Sequence, residues 1–179
     1  MSDTTAFRYG RTFDLFDAND NGVIGQDDIA ALAAGITRAG NLPADSAKGQ
    51  AIQAAYQRFW QVLSRHADTD SDGNVTREEF VNAMDNGMSS GASFDESITD
   101  ACSAEFAVID ANDDGRIDQA ELRVFLESAG LSPEEARRTA ADMDTDGDDV
   151  ISREEYLAAW RAYYLEGTLE TETFLGGAA

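Results

Sequence analysis

The 179-residue chain has one cysteine, two prolines and one histidine, and no run of about 20 apolar residues that could cross a bilayer. With Cys102 alone, an intramolecular disulfide is excluded. The start MSDTTAFRYG is too polar for a secretory core, and Ser2 follows Met1 where myristoylation needs glycine. A cytoplasmic location and no membrane association are therefore expected. Positive charge is equally scarce: 13 Lys and Arg stand against 35 Asp and Glu, for a formal net charge of -22. That balance excludes nucleic acid and anionic membrane as natural partners. Catalytic chemistry also lacks its parts. His66 and Ser64 are too close on one predicted helix to form a nucleophile pair, Cys102 lies far from the histidine, and neither a phosphate-binding glycine loop nor an HExxH segment occurs.

What the chain does have is an oxygen-rich segment of twelve residues, four times over: Asp17 to Asp28, Asp68 to Glu79, Asp110 to Glu121 and Asp144 to Glu155. Each places oxygen-bearing side chains at positions 1, 3, 5 and 12 and a β-branched residue at position 8. Calcium is a hard cation that takes six to eight oxygens, commonly with a bidentate carboxylate last, and this spacing wraps a loop around it. The second loop supplies Asp68, Asp70, Asp72, the carbonyl of Asn74, Thr76 and Glu79, with Gly73 at the sharp turn. The third supplies Asp110, Asn112, Asp114, the carbonyl of Arg116, Asp118 and Glu121.

The fourth loop requires a choice of frame. Counting Gly147 as position 6 would put charged Asp149 at the buried position 8 and Arg153, which has no acceptor, at position 12. Starting at Asp144 restores Asp146, Asp148, the carbonyl of Val150, Ser152 and Glu155. Asp149 then stands where glycine is usual, at a cost of roughly 1 kcal/mol for a left-handed residue. The first loop is the weakest, with Asp17, Asn19, Asn21, the carbonyl of Val23, a water over Gly25, and Asp28 in place of Glu. A shorter, singly coordinating Asp28 lowers the coordination number and favours Mg²⁺. Three or four Ca²⁺ ions are expected, with the first loop filled by Mg²⁺ or left empty.

The first ligands are 51, 42 and 34 residues apart, enough for an exiting helix, a connection and an entering helix in each interval. Helices are predicted over Ala47 to Ala67 and Gln119 to Ser128. Ser132, Pro133 and Glu135 start another as a capping box. A break is predicted over Asn86 to Ala92, with Ser93 and Glu96 capping the helix that follows. The domains are accordingly 1–88 and 92–179, each a pair of helix–loop–helix units, because one unit alone leaves its apolar face bare. Within each pair, Val23-Ile24-Gly25 should meet Asn74-Val75-Thr76, and Arg116-Ile117-Asp118 should meet Val150-Ile151-Ser152, as short antiparallel contacts. The fold class is all-α, compact, with two such β contacts.

Four such units in two pairs, a long first interval, and a tail with Tyr163, Tyr164 and Phe174-Leu175-Gly176 resemble the sarcoplasmic calcium-binding proteins of the EF-hand superfamily, and most of all their bacterial, calerythrin-like members. The resemblance implies pairs packed on each other, a buffering role, and ligand roles for Asp17, Asn19, Asn21, Asp28, Asp110, Asn112, Asp114, Glu121, Asp144, Asp146, Asp148 and Glu155. It carries over less directly to Asp68 through Glu79, since the second hand is degenerate in calerythrin and intact here. The alternative is a sensor that opens an apolar groove for a partner helix. Met84, Met88 and Met143 form no dense stripe, which favours a buffer; a monomer is expected. Phe174 and Leu175 are expected to cover the apolar surface bordered by Phe16, Trp60, Phe125 and Trp160.

Overall fold

A recurring duty at the end of each loop organises the fold: the residue at position 9 is the N-cap of the exiting helix, and the one at position 12 is its N3. Thr76 with Glu79, Asp118 with Glu121, and Ser152 with Glu155 are reciprocal capping boxes. Gly25 offers no side chain, so in the first loop only the return half exists, from the Gly25 amide to Asp28. The clamp of each loop is thereby tied to the start of a helix.

The computed structural model describes residues 3–88 and 91–162, without the side chains of residues 3–8 and 11. Phe7, Tyr163, Tyr164, Phe174, Leu175 and Gly176 lie outside the described side chains, so the covering role expected of the tail lies there too. In chain order the elements are α1 (Asp3–Phe16), β1 (Val23–Ile24), α2 (Gln26–Ala39), α3 (Ala47–Ala67), β2 (Val75–Thr76), α4 (Arg77–Asp85), α5 (Ala92–Ile109), β3 (Ile117–Asp118), α6 (Gln119–Ser128), α7 (Pro133–Met143), β4 (Val150–Ile151) and α8 (Arg153–Arg161). Strand β1 pairs antiparallel with β2, matching Val23 with Thr76 and Ile24 with Val75. Strand β3 pairs with β4, matching Ile117 with Ile151 and Asp118 with Val150. The position 8 residues Ile24, Val75, Ile117 and Ile151 are all 0 % exposed, as β-branched side chains seated between two loops should be.

One expectation is corrected. Ser93 does not cap α5, which starts at Ala92 behind Gly91 with no side-chain cap. The Gly91 amide donates to the Met88 carbonyl, and the Gly91 carbonyl already accepts from Asp95, so the chain turns into helix before Ser93 is reached. The close Met88 carbonyl crowds the place where a Cβ on Gly91 would stand.

The core is continuous across both pairs. Phe16 packs on Phe59 with ring centroids 5.2 Å apart, and Phe59 of α3 packs on Phe94 of α5 at 5.9 Å, carrying the aromatic chain from one pair into the other. An aromatic contact of this kind adds roughly 0.5–1.5 kcal/mol beyond burial. The most extensive helix packing is α3 against α5, followed by α2 against α3. At the α2–α3 connection, Gly40 lies so close to Val108 that any Cβ would strike the Val108 side chain. Only Gly permits this approach.

Candidate metal centres

The four loops share one backbone path. Position 4 is left-handed in each, at Asp20 (φ 56), Ser71 (φ 61), Asp113 (φ 59) and Gly147 (φ 75), and so is position 6, at Gly22 (φ 89), Gly73 (φ 88), Gly115 (φ 85) and Asp149 (φ 68). The fourth loop therefore exchanges its glycine and aspartate between two positions that both need positive φ. Asp tolerates this region better than most residues, and the Asp149 carboxylate accepts from Gln119 Nε2 at 3.0 Å. Gly147 belongs to position 4, in keeping with the frame that starts at Asp144.

This path turns backbone amides toward the position 1 carboxylate. Asp17 accepts from the Asn21 and Gly22 amides, Asp110 from Asp114 and Gly115, and Asp144 from Gly147, Asp148 and Asp149. At Asp68 only Oδ2 is served, by the Gly73 amide, while Oδ1 is shielded and has no hydrogen-bond partner among the described residues. A shielded carboxylate oxygen with no hydrogen-bond partner fits a cation. Ligand oxygens of Asp68, Asp70 and Glu79 lie within 4.8 Å of one another, as do those of Asp144, Asp146 and Glu155. The first and third loops carry Asn19 and Asn112 at position 3, where an amide oxygen stands in place of a carboxylate.

The position 12 side chain spans each loop. Glu79 accepts from Thr69 on one oxygen and Thr76 on the other; Glu155 does the same with Thr145 and Ser152. Glu121 accepts from the amides of Ala111, Asn112 and Asp118. The Thr76 amide, then the Thr69 hydroxyl, hold the Glu79 carboxyl down at about 2, and the Ser152 amide does most to hold Glu155 at about 2. Both stay ionised and ready for a cation at any neutral pH. Asp28 is shorter. It reaches Asn19 at position 3, not position 2, and is 1 % exposed, with its second oxygen on the Gly25 amide. Asp17 and Asp28 are both buried at the two ends of the first loop, while Ala18 to Gly22 between them are exposed. Thr76, Asp118 and Ser152 at position 9 serve as helix caps, while Asn21, Asp72, Asn112, Asp114, Asp146 and Asp148 accept from amides two residues ahead.

Sequence reasoning missed Glu105. It is 1 % exposed on α5, where the Tyr56 hydroxyl donates to Oε1 and the Tyr156 hydroxyl to Oε2 at 2.7 Å. Burial raises its carboxyl to about 7 against the pull of both hydroxyls. The same burial, with Glu105 beside it, pushes Cys102 and Tyr156 well up. A signal was present: Glu105 is four residues from Ala101 and Ile109 and three from Cys102, a polar residue on an apolar helical face. Glu105 and Tyr56 also line a cleft of ≈ 720 Å³ with Phe16, Ile36, Phe125 and Trp160. Trp60 is not on its wall.

A family model described as "EF-hand domain pair" matches residues 8–85 and again 98–161. Calerythrin of Saccharopolyspora erythraea is 29% identical over 167 residues, 92% of this chain and 94% of the relative. Among solved structures, a Streptomyces coelicolor calcium-binding protein, described for calcium-mediated regulation in prokaryotes, is similar at TM-score 0.77 and 31% identity, covering 89% of this chain and 97% of its own. A sarcoplasmic calcium-binding protein from amphioxus shares the fold at TM-score 0.71 and 20% identity, over 100% of this chain and 99% of its own.

Proposed function

The chain belongs to the EF-hand family and is a calcium-binding protein, not an enzyme, and from that premise we propose that it is a monomeric cytoplasmic calcium buffer holding three or four ions. The second, third and fourth loops take Ca²⁺ through the oxygens of Asp68 to Glu79, Asp110 to Glu121 and Asp144 to Glu155 that the loop spacing singles out. The first loop, with two liganding carboxylates against four in each of the others, takes the weakest ion and exchanges it with Mg²⁺. The two pairs, 1–88 and 92–179, act as the binding units. The observation that carries this reading is the repeated left-handed path at positions 4 and 6 beneath a position 12 carboxylate that bridges every loop.

Buffering is favoured over sensing because Val124, at 57%, is the one exposed large apolar side chain among the described residues. Among those same residues, no helix is long and apolar enough to cross a membrane. Titration with calcium in the presence of an apolar fluorescent dye, with and without millimolar Mg²⁺, tests the reading. Three tight sites, a weaker one that Mg²⁺ competes for, and little dye binding throughout are expected. Strong dye binding that appears only with calcium would establish the sensor instead.

A further inference from the structure

We propose that Lys48, supplied by the first pair of hands, sets the calcium affinity of the third loop in the second pair, an inference that rests on that loop being a calcium site. Lys48 lies in the first turn of α3, where the helix dipole disfavours a cation and no acidic residue accompanies it. It is held there by the other pair: Nζ donates to the Asp110 carbonyl at 2.6 Å and pairs with the Asp113 carboxylate at 2.7 Å. Neither acceptor is a ligand atom. Asp110 serves the loop through its side chain, which is turned to the Asp114 and Gly115 amides, and Asp113 at position 4 points outward with a side chain 73% exposed.

A second feature fixes the same corner: Gly40, just ahead of α3, abuts Val108, two residues before Asp110, so closely that no Cβ fits. Farther along the same two helices, Arg58 of α3 pairs with Asp100 of α5 at 3.2 Å. The start of α3 is thus seated against the end of α5 where the third loop begins. Among the described residues, Lys48 forms the one Lys or Arg ion pair that reaches from one pair of hands into a metal loop of the other.

Two effects of Lys48 oppose each other. Its contacts brace the loop, which would favour binding, and its charge repels a divalent ion and offsets part of the field of Asp110, Asp114, Asp118 and Glu121. Bracing is largely redundant, because Asp110 and Glu121 already tie the loop together through five amides: those of Asp114 and Gly115, and those of Ala111, Asn112 and Asp118. Charge therefore decides, and Lys48 weakens the third site. In a partly solvated setting, one positive charge against a divalent ion changes affinity by about 3- to 10-fold, less as salt rises.

The test compares Lys48→Met, Lys48→Gln and Lys48→Arg with the unaltered full chain, following the Gly115 amide by NMR during calcium titration. At low ionic strength the Met and Gln variants should bind calcium at the third loop about 3- to 10-fold more tightly. The gain should shrink at about 0.5 M KCl, with the affinities read at the Gly73 and Asp149 amides the same in every variant and Arg behaving as Lys. Unchanged or weaker binding in the neutral variants, or a gain indifferent to salt, would overturn the proposal. If the Gly115 amide of the unaltered chain does not respond to calcium, it is the reading of the third loop that fails, independently of Lys48.

Discussion

Replacing Glu105 by Gln should flatten the dependence of stability on pH between mildly acidic and neutral conditions. The carboxyl is fully enclosed, and burial raises it from an ordinary 4.5 to about 7. In the unfolded chain it ionises near its ordinary value, so across that window the folded protein holds the proton more tightly. The resulting stability is fully present below the unfolded value, is lost as pH rises through the folded one, and levels off above it. The shift corresponds to ~3 kcal/mol as an order of magnitude. Gln keeps the shape and no charge. One tyrosine hydroxyl must then turn from donor to acceptor, because the amide nitrogen cannot accept; this offsets the absolute stability of the variant but not its slope. Parallel urea denaturation of both proteins in a fixed excess of calcium, from about pH 5 to about pH 8, isolates the effect, since the loop carboxylates are common to both and cancel in the difference. The Gln variant should gain roughly 2–3 kcal/mol on the unaltered chain across that range. A difference that stays flat within about 0.5 kcal/mol would show that Glu105 is ionised inside the fold and that its two tyrosines outweigh its burial.

Calorimetric titration of Glu79→Gln and Glu121→Gln should each show a loss of about tenfold or more at the altered loop, and Asp28→Asn a smaller one, because only the Glu side chains bridge to position 2; equal losses would contradict the ranking. Gly73→Ala meets open space at φ +88, so its cost is purely conformational, ~1–2 kcal/mol, and should appear as weaker calcium binding in the second loop; unaltered binding would mean that the loop can find another path. Chelating the metal should lower the thermal midpoint and enlarge the hydrodynamic radius, since each ion bound at a thousandfold over its dissociation constant contributes about 4 kcal/mol. A chelated protein equally stable and compact would refute the dependence of the fold on its ions.

Much of this architecture was legible because local rules and ligand rules coincide. The Gln119–Ser128 and Ala47–Ala67 helices, the Ser132 cap and the strand registers follow from spacing that serves metal, cap and core at once. The frame of the fourth loop was readable by asking which count buries Ile151 and not Asp149. Ser93 misled because a side-chain cap is only one way to begin a helix, and a glycine turn under the Met88 carbonyl is another. What Glu105 and Lys48 meet could not be read in the same way. Their partners are 49 and 51 residues away for the first and 62 for the second, and no local period encodes which helices of the two pairs will meet.

The Phe59–Phe94 contact and the seat of Gly40 on Val108 bear on whether the chain can be divided. A chain of two independent modules could be cut between them and each piece used alone. Here a cut between Gly87 and Gly91 would strip α3 of its largest neighbour and α5 of its own. The pieces would each carry a raw apolar face of matching shape, so they should find one another in solution and behave as the two strands of a split reporter, with reassembly drawing on the apolar seam rather than on the loops.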